Sequence, residues 1–236
     1  VIALHGTGGS AARIAVELGL LPYAQTQGFA AVFPQGQVDR WNFYPPGLES
    51  EGFVQRTRPT GGLPDDVGFI RAIVGNLIRR GIADPQRIYL AGTSNGGFMA
   101  LRMVCLDASA FAAVGLLISG MPDVIGTDCA ALKPIPAIMI KGTADPIVPY
   151  DGGLIDNLLP VWSTQRLVEF VRRINGCGEP PRDSILPRQG FHEIQLELSS
   201  QCSGGPVAFY RITGGGHVVP ANAGHLLLDF FRDKAR

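Results

Sequence analysis

The stretch "RIYLAGTSNGGFMALRMVC", residues 87–105, decides the fold. A run of strand formers drives into Gly-x-Ser-x-Gly and leaves as a helix-forming sequence. Ser94 stands at the turn, in Gly92-Thr93-Ser94-Asn95-Gly96. A nucleophile elbow needs this context: a strained turn lifts the hydroxyl above a sheet, and the flanking glycines remove side chains that would clash. The helix that follows aims free N–H groups at any negative charge developing nearby.

Outward from the elbow, strand and helix patterns alternate. "VIAL" (1–4) is a short, wholly apolar run, as for a strand covered on both faces. "AARIAVELGLL" follows with helical spacing, and "FAAVFP" (29–34) reads as the next strand. Residues 35–64 form a long loop rich in Gly, Pro and polar residues that carries Trp41, Phe43 and Tyr44. In "DDVGFIRAIVGNLIRRG" (65–81), Val67, Ile70, Ile73, Val74, Leu77 and Ile78 share one helical face, with acids at the start and arginines at the end. "FAAVGLLIS" and "PAIMIKG" predict strands, about 160–174 a helix, "HEIQLELS" and "PVAFYRIT" late strands, and "HLLLDFF" a closing helix. This order implies an α/β fold with a mostly parallel sheet and helices on both faces.

The bulk numbers agree. The 236 residues suit one α/β domain, expected to span 1–236. With 20 Lys+Arg against 20 Asp+Glu, no long-range field invites nucleic acid or an anionic membrane. No apolar run approaches the roughly 20 residues that span a bilayer. "VIALHG" reads as the end of a buried strand, so N-terminal strands are expected upstream of Val1.

Cys105, Cys129, Cys177 and Cys202 make no Cys-x-x-Cys pair and have no histidine at zinc-finger spacing. Four separated cysteines fit two disulfides and an oxidising compartment, secreted or periplasmic. Three connectivities are open, of which pairing nearest in sequence joins Cys105 to Cys129 and Cys177 to Cys202. Four buried free thiols in a cytosolic protein would be the contrary reading.

A serine hydroxyl is a weak nucleophile until a base takes its proton. The candidates are His5, His192, His217 and His225. His217, in "RITGGGHVVP", follows a strand on a glycine-rich loop that can carry its ring over the sheet edge. His192 begins a strand, His225 belongs to the last helix, and His5 precedes a turn whose backbone it can hydrogen-bond. An acid must orient the base, in the order Ser, Asp, His. Asp145, in "AIMIKGTADPIVPY", lies just beyond a strand, more closely than Asp123, Asp128 or Asp151. An Asx-turn before Pro146 is its ordinary alternative, compatible with the acid role. The oxyanion hole would take the main-chain N–H of Asn95 and, from "LHGTGGS", that of Thr7. Gly6-x-Gly8-x-x-Ala11 also fits a loose dinucleotide fingerprint, but the next strand, ending in "VFPQG", has no acid for a ribose before Asp39.

"LHGTGGSA", "WNF", "DDVGFI", "GTSNGGFMA", "GTADPIVPYDGG", "NGCG" and "GGGHVVP" occur in the order seen in the secreted esterases related to polyhydroxybutyrate depolymerases, a family that includes feruloyl and acetylxylan esterases. The chain resembles that family through nearly its whole length. The resemblance implies an α/β-hydrolase fold, Ser94, Asp145 and His217 as catalytic triad, a Cys177–Cys202 disulfide, and strands before Val1. The chain departs from the pattern at two places. Val218-Val219-Pro220 follows the histidine where the family has Thr-Trp-Pro, and Lys141 stands where the family has His before the glycine of the acid loop.

The expected function is serine-dependent hydrolysis of carboxylic esters on plant polysaccharide, feruloyl or acetyl, with no metal or organic cofactor. A polyhydroxyalkanoate depolymerase is the alternative within the class. A non-catalytic module that binds carbohydrate or protein is the alternative outside it. Val218 is expected at a substrate-pocket wall. Trp41, with Phe43 and Tyr44, is expected either in an aromatic substrate wall or in packing beneath the long loop.

Overall fold

The computed structural model describes residues 1–47, 62–189 and 192–236. Residues 48–61 of the long loop lie outside them. A seven-stranded sheet has the order β1-β2-β3-β4-β9-β8-β7. Strands β1 (Ile2–Leu4), β2 (Tyr89–Thr93), β3 (Ala113–Leu117), β4 (Ala137–Gly142) and β9 (Val207–Ile212) run parallel. Strands β8 (His192–Ser199) and β7 (Arg182–Gln189) add antiparallel to β9. The sheet and the α/β-hydrolase architecture match the sequence reading.

The parallel strands are apolar at consecutive positions because both faces are covered. Ile2, Leu90, Val114 and Met139 pack on one side, with α3 (Asp66–Arg79), α4 (Asn95–Asp107) and α6 (Thr164–Ile174). Ala3, Ala91, Ile138 and Ala208 pack on the other, with α1 (Ala11–Leu18), α2 (Leu20–Gln27) and α7 (Ala223–Phe231). A short α5 (Gly126–Cys129) and a β5–β6 hairpin (Gly153–Ile155, Leu159–Val161) decorate the carboxyl side. Disulfides join Cys105 to Cys129, tying α4 to α5, and Cys177 to Cys202. Among the described residues no helix is long and apolar enough to cross a membrane.

The local differences have local causes. "AARIAVELGLL" breaks into α1 and α2 at Gly19, whose φ of 57° caps one helix and starts the next. "FAAVFP" is no strand of its own: Val32 alone bridges Ile2, and Pro34 cannot continue the ladder. The helix expected from about 160 starts at Thr164, because β6 occupies 159–161 and Ser163 caps the helix by accepting the Arg166 N–H at 3.2 Å. Strand β7 contains Pro187, which hides it from a propensity reading and is tolerated because β7 is an edge.

Candidate active site

The carboxyl ends of parallel strands are where an open α/β sheet gathers its chemistry. Thr7 follows β1, Ser94 follows β2, Asp145 follows β4 and His217 follows β9. Ser94 has φ 52° and ψ −119°, a conformation that costs a non-glycine residue about 1–3 kcal/mol. Its surroundings impose it. A Cβ at Gly92 would sit 2.1 Å from the Gly96 carbonyl oxygen, and one at Gly96 would sit 2.4 Å from that of Leu4. The two glycines therefore let strand, turn and helix close on one another. Main-chain bonds from Ser94 N–H to Leu117 O and from Phe98 N–H to Ser94 O hold the turn at 2.9 and 3.1 Å.

Ser94, His217 and Asp145 form one hydrogen-bonded chain. Ser94 Oγ lies 2.9 Å from His217 Nε2, and His217 Nδ1 lies 2.8 Å from Asp145 Oδ2. A carboxylate only accepts, so Nδ1 carries the proton; Nε2 is then the acceptor and Ser94 Oγ–H donates to it. Asp145 also makes the expected Asx-type turn, its Oδ1 accepting the N–H groups of Ile147 and Val148 at 2.9 Å each. Its Oδ2 takes a second donor, Lys141 Nζ, at 2.7 Å. Burial by itself would push the Asp145 carboxyl up, but the bonds from His217, Lys141 and the Val148 amide outweigh it and hold the group well below the usual carboxylate range. Burial pulls the Lys141 ammonium down from its ordinary value, against the opposing pull of Asp145.

On the opposite flank stand the N–H groups of Thr7 and Asn95, and among the described residues neither has an intramolecular acceptor. The loop that carries Thr7 is braced. His5 is buried; its Nδ1–H donates to Gly6 O at 2.8 Å, and its Nε2 accepts from Gly36 N–H at 3.1 Å. Asn95 does more than its main chain suggests. Its side chain clamps the Trp41 main chain both ways, Oδ1 accepting the N–H at 2.7 Å and Nδ2 donating to the carbonyl at 3.1 Å.

A cavity of about 370 Å³ opens beside Ser94 and His217, lined by Thr7, Arg13, Ile118 and Val218 among others. Val218, 71 % exposed, is among the residues that line it. The Trp41 substrate-wall reading is corrected. Trp41 is 1 % exposed and does not line the cavity; its indole N–H, needing an acceptor once buried, donates to His5 O at 2.9 Å. Phe43 and Tyr44 are buried beside it. These aromatic residues are packing, and the Trp41 indole braces the main chain at His5, two residues before Thr7.

The other candidates lie away from the chain of bonds. His192 contacts Thr213 O at 3.0 Å, and His225 pairs with Asp229 at 3.1 Å on the surface of α7. Asp128 is engaged by Arg102 at 3.0 Å. Among the described residues no group of three or more His, Cys, Asp or Glu side chains is placed to hold a metal ion. The sequence reading missed the contact of Lys141 with Asp145 and the clamp made by the Asn95 side chain. A lysine in the apolar run "AIMIKG", four residues before an aspartate, was the available signal for the first.

No family model matches the chain. NocK of Nocardia uniformis subsp. tsuyamanensis, a protein carried under an esterase name, is 30 % identical over 93 % of this chain and 64 % of its own length. Feruloyl esterase B of Neurospora crassa is 27 % identical over 98 % of this chain and 82 % of its own. The chain thus spans less than two thirds of NocK. Among solved structures, an acetyl xylan esterase from Aspergillus awamori superposes with a TM-score of 0.69 at 14 % identity, covering 98 % of this chain and 87 % of that one. At that identity the likeness speaks to the fold.

Proposed function

We propose, from the premise that this chain belongs to the α/β-hydrolase esterase family, that it hydrolyses carboxylic esters through an acyl-enzyme on Ser94. The observation that carries the reading is the unbroken chain from Ser94 Oγ to His217 to Asp145, at 2.9 and 2.8 Å, beneath an open cavity. Ser94 Oγ attacks the ester carbonyl while its proton passes to His217 Nε2. The developing oxyanion meets the N–H groups of Thr7 and Asn95, which spend no hydrogen bond on the protein itself. Asp145 holds the ring with Nδ1 protonated, and the imidazolium then gives its Nε2 proton to the leaving alcohol. Water attacks the acyl-enzyme by the same route in reverse, and Ser94 regains its proton.

The substrate class follows as part of the same proposal. Feruloyl or acetyl esters of plant polysaccharide fit an open site whose mouth is aliphatic at Ile118, Val218 and Val219 and polar at Thr7 and Arg13. Relatives named for feruloyl ester cleavage support that choice. Residues 1–236 would act as one catalytic domain, and two disulfides favour an extracellular or periplasmic setting.

The test compares initial rates on methyl ferulate and p-nitrophenyl acetate, with Ser94→Ala as blank, and checks covalent labelling by a fluorophosphonate. The native chain is expected to label and turn over, and Ser94→Ala to do neither. Turnover of the acetate alone would restrict the acyl group to small acids. Near-native rates in Ser94→Ala would overturn the mechanism, and failure of the native chain to label would leave a binding module.

A further inference from the structure

Lys141 is one of three lysines in the chain and the one built into its core. Its side chain is 2 % exposed and that of Asp145 is fully buried. Nζ donates to Asp145 Oδ2 at 2.7 Å and to Val148 O at 2.6 Å. The same Oδ2 accepts the His217 Nδ1–H at 2.8 Å. One carboxylate oxygen therefore serves two nitrogen donors, the Lys141 ammonium and the His217 Nδ1–H.

The surroundings leave this pair to itself. On the face of β4 that carries Met139 and Lys141, helix α6 packs with Leu167, Val168 and Val171; of its charged residues, Arg166, Glu169 and Arg173 are exposed, and the half-buried Arg172 donates to Glu179 O at 2.9 Å. From β9, Arg211 is committed to Glu197 of β8 at 2.6 Å, and the Tyr150 phenol joins that pair with Asp151 nearby. Asp145 is the ionisable group acting on the Lys141 ammonium, and Lys141 and His217 are those acting on Asp145.

We propose that Lys141 is a positioning residue of the triad: its ammonium fixes Asp145 Oδ2 in line with His217 and neutralises part of the carboxylate charge that would otherwise stabilise the imidazolium. A triad of Asp and His alone passes from a net charge of −1 to 0 when the base takes the serine proton. With Lys141 the group passes from 0 to +1. The protonated ring is thus less favoured at rest, and the base stays free to lower pH. Lys141 takes no part in any bond made or broken; the serine proton still travels from Ser94 Oγ to Nε2 and on to the leaving alcohol.

This inference rests on the triad reading, and the pH profile of kcat/KM tests it. Lys141→Gln keeps an N–H donor without the charge, and its acid limb is expected to move up by about one pH unit relative to the native chain. Lys141→Arg keeps the charge, and its limb is expected to stay with the native one. A Lys141→Gln profile that superimposes on the native profile overturns the proposal, as does an equal displacement in Lys141→Arg. The native protein offers a check independent of whether variants fold. ¹⁵N-detected side-chain spectra, with Lys133→Arg and Lys234→Arg for assignment, should show a slowly exchanging Lys141 ammonium at neutral pH; a neutral amine there overturns it as well. Ser94→Ala separates the two readings. Turnover in that variant sinks the triad, whereas an inactive Ser94→Ala with an unmoved Lys141→Gln profile sinks only the role of Lys141.

Discussion

Asp66 and Asp145 are both buried, at 3 % and 5 % exposure, yet their carboxyls are driven in opposite directions. Asp66 stands at the start of α3, and its Oδ2 accepts the Asn42 N–H at 2.6 Å. Burial pushes it up to about 6; the Asn42 bond opposes that push and the neighbouring Asp65 adds to it. Asp145 receives donors from Lys141, Ile147, Val148 and His217, one of them a cation, and it stays ionised. Desolvation is common to both sites. The number of donors and the presence of a countercharge decide which carboxyl keeps its charge. The Asp145 flank of the site is accordingly held by charge, and the Thr7 flank by neutral hydrogen bonds and packing.

The largest effect is expected on the charged flank. Asp145→Asn should lower kcat by about 10⁴, the loss that follows when a triad histidine is left in the wrong tautomer. It should also destabilise the fold by about 3–5 kcal/mol, because Lys141 then keeps a buried charge without its counter-ion. Urea unfolding beside the kinetic assay separates the two losses. A variant that loses activity but keeps native stability would mean that Lys141 is not charged in the folded protein.

On the neutral flank the expected loss is mainly one of stability. Trp41→Ala removes a fully buried indole and its bond to His5 O, which should cost about 3–5 kcal/mol in urea unfolding. Its rate should fall through kcat as the Thr7 loop loses support. A rise in KM at unchanged stability would restore Trp41 to the substrate wall.

The contrast between the flanks also marks what could be read from the sequence. The turn at Ser94 was legible because a five-residue pattern sat between a strand run and a helix run, and Asp145 and His217, which the structure brings to it, each lay just past a strand. Those are local signals. Trp41 was open to two readings because an aromatic residue in a loop gives no sign of which way it faces. Its direction is set by residues 36 and 54 positions away in the chain, His5 and Asn95. The β7 edge was hidden by Pro187, which argues against a strand until the strand is known to be at an edge. Lys141 was noticed as a departure, but pairing a lysine with the oxygen that also holds a histidine requires the loop after β4 to fold back. Composition and period carry no trace of that turn.

The smallest effect concerns Asp66 and has a pH signature. Its native value of about 6 lies above the ordinary 3.8, so between those values the folded chain binds more protons than the unfolded one. Stability then falls as pH rises through this window, and above it the folded state carries the full cost of an ionised, buried carboxylate. Asp66→Asn removes the titration while keeping an oxygen that can accept the Asn42 N–H. The variant should therefore gain on the order of 2 kcal/mol at pH 7.5 and almost nothing at pH 4. Urea midpoints at the two pH values measure the difference. An equal gain at both would assign the effect to packing, and a loss at pH 7.5 would mean that the ionised Asp66 is better satisfied than the Asn42 N–H and the Asp65 neighbour imply. Neither result would be expected at Asp145, where the native carboxyl titrates below the unfolded value and folding is weakened by acid instead of by base.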